Sequence, residues 1–563
     1  MATTTFSQLL VFAALVLVGH ATRLPDGPIV RTQYGDVRGM YVEEGTIFLG
    51  LPFGVPPVGE LRWKPPRAYN KSWAPDVRDG TVPGPACRQG GCEPDSNDYQ
   101  HIFNRDKART QSEDCLYLNV FVPRSVLNST ARLPVMCYFH GGTYNSGTGA
   151  ALIYDGRILA NKTSTIVVTT NYRLAAFGYL VTGEGDDDAR GNYGTLDQIE
   201  ALKWVQHNIA DFGGDKDKVT IFGQSAGSDS VAVLLTSSRA ADLFHQAIML
   251  SVPFSITHKT QVEAIRLGND FTKFANCSVG DMKCLRSKSA DEILQAQDKV
   301  DDYIANPFRL LELFLQWGPT VDGDVLPRQT VDSFTNGQFQ GKPFIIGTVL
   351  DEAILFIYSA LSKPMSKVEL DGAALAFLHG KGPAALREYN PPQTSDYRPF
   401  LSRAVTDWVF ECSTRNVIRN SVQSAENDVW LYVFDHTFSS SFKTFWLEQP
   451  FCLGHVCHGE DIPFVFQTPK LINLTFTTDE QVMADTMAYH YGNFAHTGDP
   501  NKPSPYVYTT GNVLKTPLNW PKYNGGNQFP NMNFTTPQNV IVQDYNKEKC
   551  DFWDKENIYT GTN

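Results

Sequence analysis

The middle of the chain alternates short apolar runs with stretches of helical periodicity. Nearly continuous runs of apolar and β-branched residues are typical of strands buried on both faces of a parallel sheet. Alternation of such strands with helices over several hundred residues predicts an α/β fold with a large, mostly parallel, twisted central sheet and helices on both faces. The predicted strands lie within 133–142, 164–173, 217–227, 245–252, 342–350 and 429–437.

The segment 194–214 predicts a helix between the second and third of these strands. Its apolar residues recur at steps of three and four positions, as one face of a helix requires. Two glycines close the segment, which is typical of a helix C-terminus. The apolar positions are Ile199, Leu202, Val205, Ile209 and Phe212.

Composition agrees with one large folded unit. The 563 residues are 42% hydrophobic and 19% charged, which suits a sizeable buried core. No internal repeat, low-complexity tract or flexible linker interrupts the pattern, so residues 22–563 are predicted to form a single domain. The net charge of −12 disfavours binding to a nucleic-acid phosphate backbone.

The N-terminus predicts a secretory signal peptide over residues 1–21. Residues 9–18 form a short apolar core, and Gly19 and Ala21 place small residues at the −3 and −1 positions of a cleavage site. The apolar run is too short for a membrane span, and no later stretch approaches 18 apolar residues. The mature chain is therefore expected to be soluble and exported, outside the cell or in the secretory lumen.

Cysteines and glycosylation sequons fit an exported chain. Ten cysteines in that setting favour disulfides over metal sites, and the Cys/His cluster at 452–458 is too tight for one tetrahedral zinc ion. No metal or other cofactor is predicted. N-glycosylation is predicted at the six N-x-S/T sequons, Asn70, Asn128, Asn161, Asn276, Asn473 and Asn533.

The segment 223–227 carries the pattern G-x-S-x-G, with Ser225 at its centre. A β-branched strand precedes it and a helical stretch follows it, a context that holds a nucleophilic serine on a tight turn. The alternative is a glycine-rich turn with a solvent-exposed serine. A serine nucleophile needs a base and an orienting acid, and eight histidines follow Ser225, so spacing alone selects none of them.

The chain as a whole resembles the cholinesterase and type-B carboxylesterase family of α/β-hydrolases. The resemblance covers nearly all of the mature length and implies an α/β-hydrolase fold and ester hydrolysis. It rests on several stretches in the same order, "FLGLPFGVPPVGELRWKPP", "SEDCLYLNVFVP", "HGG" with Gly147, "NYRLAAFGYL", "GNYGTLDQIEALKWVQHNIADFGGDKDKVTIFGQSAG", "PTVDGDVLP" and "HGEDIPFVF".

The resemblance implies a catalytic triad of Ser225, His458 and Glu352. His455 competes with His458 within the same segment, and Asp351 is the alternative to Glu352. The acid is the less regular match, since the family pattern is G-x-N-x-D-E-G. Val349 stands here in place of its asparagine and Ala353 in place of its last glycine.

An oxyanion hole is implied by the same resemblance. Its donors would be the backbone N–H groups of Gly142, Thr143 and Ala226. Thr143 stands where a third glycine is common, and its branched side chain restricts the backbone. Related hydrolases place alanine or serine there, so a negative φ at Thr143 and a competent hole are expected, with the side chain shaping the pocket.

The family's cysteine pattern implies three disulfides. They are Cys87–Cys115, Cys277–Cys284 and Cys412–Cys550, with Cys92 as a competitor of Cys87. Cys452 and Cys457 are candidates for a further bridge beside His458. Cys137 lies in a predicted buried strand and is expected to be a small core residue.

Departures from the family narrow the substrate. Choline-cleaving members carry a tryptophan between the first two disulfide cysteines and a glutamate before the nucleophile. Here no tryptophan lies between Cys87 and Cys115, and residue 224 is the neutral glutamine. A small-molecule neutral ester is therefore expected rather than a choline ester. Trp317 and Phe356 either line an acyl pocket or pack in the core.

A second hypothesis is a catalytically weak or inactive adhesion or binding protein on the same fold, like the neuroligins, which lack the nucleophile. The segments "HGGTYNSGTG" and "NYRLAAFGYLVTGEG" resemble neuroligin segments. The presence of Ser225, Glu352 and His458 argues against it. A lipase acting at interfaces also stays open, and the sequence does not indicate an oligomeric state.

Overall fold

In the computed structural model of the chain, an eleven-stranded sheet forms the centre of the molecule. The described residues are 27–90, 111–126, 130, 132–301, 314–424, 427–439, 445–446, 449–505, 517–523 and 528–559. The proposed signal peptide, Cys92 and Asn128 lie outside these residues.

Seven neighbouring strands of the sheet run parallel, and antiparallel strands flank them on both sides. The spatial order is β11-β10-β9-β8-β7-β6-β4-β5-β3-β2-β1, in which β4 to β10 are the parallel strands. The strands are β1 Met40–Val42, β2 Gly45–Pro52, β3 Tyr117–Pro123, β4 Leu133–Phe139, β5 Ile166–Thr170, β6 Gly214–Gln224, β7 Gln246–Leu250, β8 Phe344–Val349, β9 Val429–Phe434, β10 Pro530–Phe534 and β11 Val540–Gln543.

Helices surround this sheet, and two extensive clusters of buried apolar side chains pack against it. The helices are α1 Arg157–Thr163, α2 Ala175–Tyr179, α3 Tyr193–Asn208, α4 Ala226–Thr236, α5 Gln261–Phe274, α6 Met282–Ser287, α7 Ala290–Asp301, α8 Thr330–Thr335, α9 Ile354–Ala360, α10 Lys367–Leu378, α11 Gly382–Tyr389, α12 Arg398–Val405, α13 Cys412–Ser424, α14 Ile462–Phe466, α15 Thr478–Thr497 and α16 Lys547–Glu556. A π-helical turn, Thr406–Glu411, joins α12 to α13.

The predicted fold class is confirmed, and each of the six predicted strands is present. Every residue of β4, β5, β7, β8 and β9 is buried, which explains their continuous apolar sequences. Helix α3 ends at Asn208, earlier than the sequence predicted. A tighter turn continues the apolar face to Phe212, and Gly213 ends it at a φ of 87°.

Four disulfides connect the loops and helices around the sheet. The three pairs implied by the family resemblance are present, together with the bridge between Cys452 and Cys457. Cys137 is buried in β4, and burial raises the pKa of its thiol to about 12, so it is a core residue.

The proposed glycosylation sites differ in accessibility. Asn70, Asn276 and Asn473 are exposed, and Asn161 is half-buried on α1. Asn533 is only 5% exposed in β10, where its side-chain oxygen accepts a hydrogen bond from Asn531. A buried amide leaves little room for a glycan in the folded chain, and glycosylation at Asn533 stays a prediction.

A buried ion pair joins the segment after β5 to α3. The guanidinium of Arg173 donates to both carboxylate oxygens of Asp197, at 2.8 and 2.7 Å, and the Arg173 N–H donates to the same carboxylate. Arg173 is 3% exposed and Asp197 is fully buried. The pair holds α3 against the segment that leads from β5 to α2.

We predict that Asp197→Ala lowers the free energy of unfolding by about 3–5 kcal/mol, because it leaves the buried guanidinium unpaired. Denaturant unfolding followed by tryptophan fluorescence measures the change. Asp217→Ala is the control, since Asp217 pairs with Lys216 on the surface and its loss should leave the transition unchanged. Equal transitions for the two variants would contradict the role assigned to the buried pair.

Candidate active site

Ser225 occupies a sharp turn between β6 and α4. Its φ of 58° and ψ of −125° lie outside the conformations that residues with a side chain usually adopt. The Ser225 N–H donates to Leu250 O in the neighbouring strand, and Ser225 O accepts from Asp229 N–H in the first turn of α4. These bonds hold the serine at the carboxyl end of the sheet, as the G-x-S-x-G pattern predicted.

Glycine is required on both sides of this turn because the backbone approaches itself closely. A Cβ at Gly223 would lie 2.3 Å from Gly227 O, and a Cβ at Gly227 would lie 2.0 Å from Phe139 O in β4. Backbone atoms cannot move away as a flexible side chain can. The two glycines therefore let α4 start directly against the neighbouring strand.

His458 and Glu352 form a buried hydrogen-bonded pair. The distance from His458 Nδ1 to Glu352 Oε2 is 2.5 Å, with Glu352 fully buried and His458 5% exposed. The second carboxylate oxygen of Glu352 accepts the N–H of Val349 at 2.9 Å. The bond to Val349 uses only its backbone, so the replacement of the family's asparagine there leaves this contact intact.

The loops that carry the pair are joined by backbone contacts. Asp351 forms a parallel β-bridge with Cys457, and its N–H donates to Val456 O at 3.0 Å. His455 and Asp351, the alternatives to His458 and Glu352, lie next to each other and are not part of the buried pair. His455 Nδ1 is 3.5 Å from the Asp351 carboxylate, and the His455 side chain is 48% exposed.

Two phenylalanines pack against the His458 ring. The ring centroid of Phe356 is 5.0 Å from that of His458, and the centroid of Phe410 is 5.4 Å away. Phe410 belongs to the π-helical turn, whose Thr406 hydroxyl accepts the N–H of Ala353 beside Glu352. The turn thus contacts both the histidine and the carboxylate loop.

The outer nitrogen of His458 contacts Gln224 rather than Ser225. The distance between Gln224 Nε2 and His458 Nε2 is 3.0 Å, and no hydrogen bond joins Ser225 Oγ to His458 in the described structure. If His458 donates Nδ1–H to Glu352, its Nε2 is free to accept from the Gln224 amide. Gln224 therefore occupies the place at His458 Nε2 that the Ser225 hydroxyl would need in order to donate its proton.

The loop after β4 adopts a left-handed backbone next to Ser225. Gly142 has a φ of 108°, Thr143 of 53° and Tyr144 of 60°. The expected negative φ at Thr143 is therefore wrong. Tyr144 O accepts the Ala175 N–H, and Gly142 O accepts the N–H groups of Asn145 and Ser146, which together impose the conformation from both sides.

Side chains from outside the loop hold it against α4. The Tyr144 hydroxyl donates to Asp229 at 2.7 Å, and the Gln89 amide both donates to and accepts from the backbone of Gly147. Burial lowers the pKa of His140 to about 4, so its ring is neutral and its Nδ1 donates to Gly141 O. The loop is fixed before any ligand binds.

Further carboxyl groups beside the pair are buried. Burial raises the pKa of Asp461 to about 7, and it raises the pKa of Glu460 well above its usual range. Tyr432 donates to Asp461, and Trp446 donates to Glu460. Protonation of such carboxyls limits the negative charge that accumulates around Glu352.

Two cavities meet at Ser225 and Thr143. One, with a volume of about 210 Å³, is also lined by Gln224, His458 and Ile462, and we call it the base-side cavity. The other, with a volume of about 30 Å³, is lined mostly by apolar residues. We call it the acyl cavity, and besides Ser225 and Thr143 it is lined by Pro253, Ile256, Phe314, Leu315, Phe356, Ile357, Val405, Val409 and Phe410.

The sequence left open whether Phe356 and Trp317 line a pocket or pack in the core, and it missed other residues. Phe356 lines both cavities, whereas Trp317 lines neither and packs edge-on against Phe271 in the core. The contact from Gln224 to His458 and the support of the loop by Asp229 were not predicted. The GQSAG sequence draws attention to Gln224, but nothing in the sequence distinguishes Asp229 from other helix residues.

Comparison with known proteins places these observations in a family. The carboxylesterase family model matches residues 26–553. The chain is 35% identical to a "crystal protein" of Dictyostelium discoideum, over 92% of this chain and 89% of that one. It is 32% identical to mouse neuroligin-2, over 88% of this chain and 64% of that one. A solved thermophilic PNB esterase superposes with a TM-score of 0.76 at 30% identity, over 94% of this chain and all of that one.

We predict that Gly227→Ala destabilises the fold by at least about 1–3 kcal/mol, because the added methyl group meets the carbonyl of Phe139. Thermal unfolding measures the effect. The matched control is Gly372→Ala on the exposed side of α10, where no atom lies within 4 Å of the added Cβ. That change should raise stability by up to about 1 kcal/mol. A neutral Gly227→Ala would refute the close approach described for the turn.

Proposed function

Because the chain belongs to the carboxylesterase family, we propose that it hydrolyses carboxylic esters with Ser225 as nucleophile, His458 as general base and Glu352 as the orienting acid. The observation that carries the proposal is the buried His458–Glu352 pair beside a serine held on a strained turn. These three side chains come from separate loops and converge on the wall of one cavity or directly behind it.

The proposed reaction begins with a proton transfer. Glu352 accepts Nδ1–H, which leaves Nε2 of His458 as the base for the Ser225 hydroxyl. Ser225 Oγ attacks the ester carbonyl, His458 returns the proton to the leaving alcohol, and water then releases the acid by the same steps. Gln224 has to give up its contact with Nε2 before the serine can use it.

Three backbone N–H groups would stabilise the tetrahedral intermediate, those of Gly142, Thr143 and Ala226. Within the described residues, the first two have no hydrogen-bond acceptor, and Ala226 begins α4, where N–H groups have no partner in their own helix. One such donor is typically worth about 3–4 kcal/mol in the transition state. A threonine retains its N–H, so the side chain at 143 affects the shape of the site more than the donor.

The lining of the site supports neutral ester substrates. Among the described residues, no aspartate, glutamate, lysine or arginine lines either cavity at Ser225. A cationic choline group would find no carboxylate there, because Gln224 occupies the position next to the nucleophile.

An exported protein is part of the proposal. The signal peptide over 1–21, the disulfides and the exposed sequons at Asn70, Asn276 and Asn473 support it. None of the helices within the described ranges is long and apolar enough to span a bilayer.

A second candidate function is a binding or adhesion protein of the same family. Two observations favour it, the similarity to neuroligin-2 and the contact of His458 with Gln224 in place of Ser225. An ester assay distinguishes the two functions.

We predict that the purified chain hydrolyses p-nitrophenyl acetate and butyrate, and that Ser225→Ala lowers the rate by more than about 10³-fold. Release of p-nitrophenol at pH 8 measures it. Ser238→Ala, an exposed serine beyond the end of α4, is the control and should keep full activity. No turnover by the wild-type chain on any ester of a panel would instead support the binding protein.

We predict that Gln224→Glu moves the acid limb of the pH–rate profile to higher pH by about one unit or more. A carboxylate about 3 Å from Nε2 favours the imidazolium form of His458, which cannot accept the serine proton. Because the neutral ring is the active form, activity then appears only at higher pH.

The kcat/KM for p-nitrophenyl acetate between pH 5 and 9 tests this. Gln423→Glu, an exposed residue on α13, adds the same charge far from the site and should not move the limb. A profile for Gln224→Glu that overlays the wild-type profile would show that Gln224 does not contact the base in solution.

A further inference from the structure

A second, larger apolar cavity lies behind the acyl cavity. It has a cavity volume of about 50 Å³ and is bounded by α9, α10, α11, α12 and α16, and we call it the distal chamber. Ala373, Ala374 and Phe377 of α10 line it, facing Leu401 and Ala404 of α12.

The lining of the distal chamber offers almost nothing to a polar ligand. Within the part of the chain that the structure describes, no charged side chain contributes to it. The hydroxyl of Tyr389 donates to Asp407 at 2.6 Å and accepts from Trp553 Nε1 at 2.8 Å, so its polar atom is already satisfied. Hydrocarbon gains free energy on entering such a space, whereas water finds few partners there.

The distal chamber and the acyl cavity share three lining residues. Phe314, Ile357 and Val405 line both. The acyl cavity itself includes Ser225, so a path from the proposed nucleophile to the distal chamber has to pass between these three apolar side chains.

The direction of this path identifies the part of the ester that would follow it. His458 and Gln224 line the base-side cavity and do not line the acyl cavity. The base protonates the leaving alcohol, so the alcohol belongs on the side of His458. The acyl group of the ester is therefore expected in the acyl cavity, which adjoins the distal chamber.

We propose that the distal chamber binds the far end of a long acyl chain, so that the substrates are esters of fatty acids of about ten carbons or more. The inference rests on the proposed esterase function. A short acyl group fits within the acyl cavity, and each further buried CH₂ contributes about a fourfold gain in binding.

A series of p-nitrophenyl esters from acetate to dodecanoate tests the proposal with one pair of variants. Ala373→Phe fills the distal chamber, whereas Ala376→Phe puts the same side chain on the exposed face of α10. We expect Ala373→Phe to lower kcat/KM for the dodecanoate at least tenfold and to leave the acetate unchanged. Ala376→Phe should change neither, and Ala404→Leu fills the chamber from α12 if Ala373→Phe does not fold.

Calorimetric titration with dodecanoate gives a readout that does not depend on turnover. We expect binding to wild-type and to Ala376→Phe, and at least tenfold weaker binding to Ala373→Phe. If acetate is not hydrolysed, the esterase proposal fails, and this titration still decides whether the distal chamber takes a hydrocarbon chain. Equal dodecanoate binding by both variants, no binding at all, or an equal loss of activity on acetate and dodecanoate would overturn the chamber's role.

Discussion

The fully buried carboxylate of Glu352 places a strict condition on the loops around it, since an enclosed charge must be satisfied where it lies. One of its oxygens is bound by the backbone of Val349 at the end of β8, and the other by His458. The β-bridge between Asp351 and Cys457 holds these two loops in register. The end of β8 and this β-bridge therefore determine where the imidazole of His458 lies.

Strain is concentrated around the same point. Ser225, Thr143 and Tyr144 all have positive φ, a conformation that costs about 1–3 kcal/mol for a residue with a side chain. Ser225 and Tyr144 are held by contacts from other segments, such as the bond from Tyr144 to Asp229. Such contacts pre-organise backbone N–H groups, which is the arrangement that electrostatic stabilisation of an oxyanion requires.

The sequence predicted the strands well because strands buried on both faces leave continuous apolar runs, as in β4 and β8. It located His458 and Glu352 only through family resemblance, since eight histidines follow the serine. Prediction from the sequence failed where contacts between distant residues determine the local structure. The positive φ of Thr143 belongs to a loop held by the Ala175 N–H, which donates to Tyr144 O, and the burial of Asn533 depends on its place in the sheet. Local sequence propensity contains no information about either contact.

The disulfide between Cys412 and Cys550 also affects the wall of the distal chamber. Cys412 begins α13 directly after the π-helical turn that carries Trp408, and Cys550 lies on α16 with Trp553. The two tryptophans stack at 6.0 Å and form part of the wall of the distal chamber. The bond thus holds together two walls of one cavity. One covalent bond therefore couples the redox state of the chain to the shape of a cavity whose lining includes none of Ser225, Glu352 and His458.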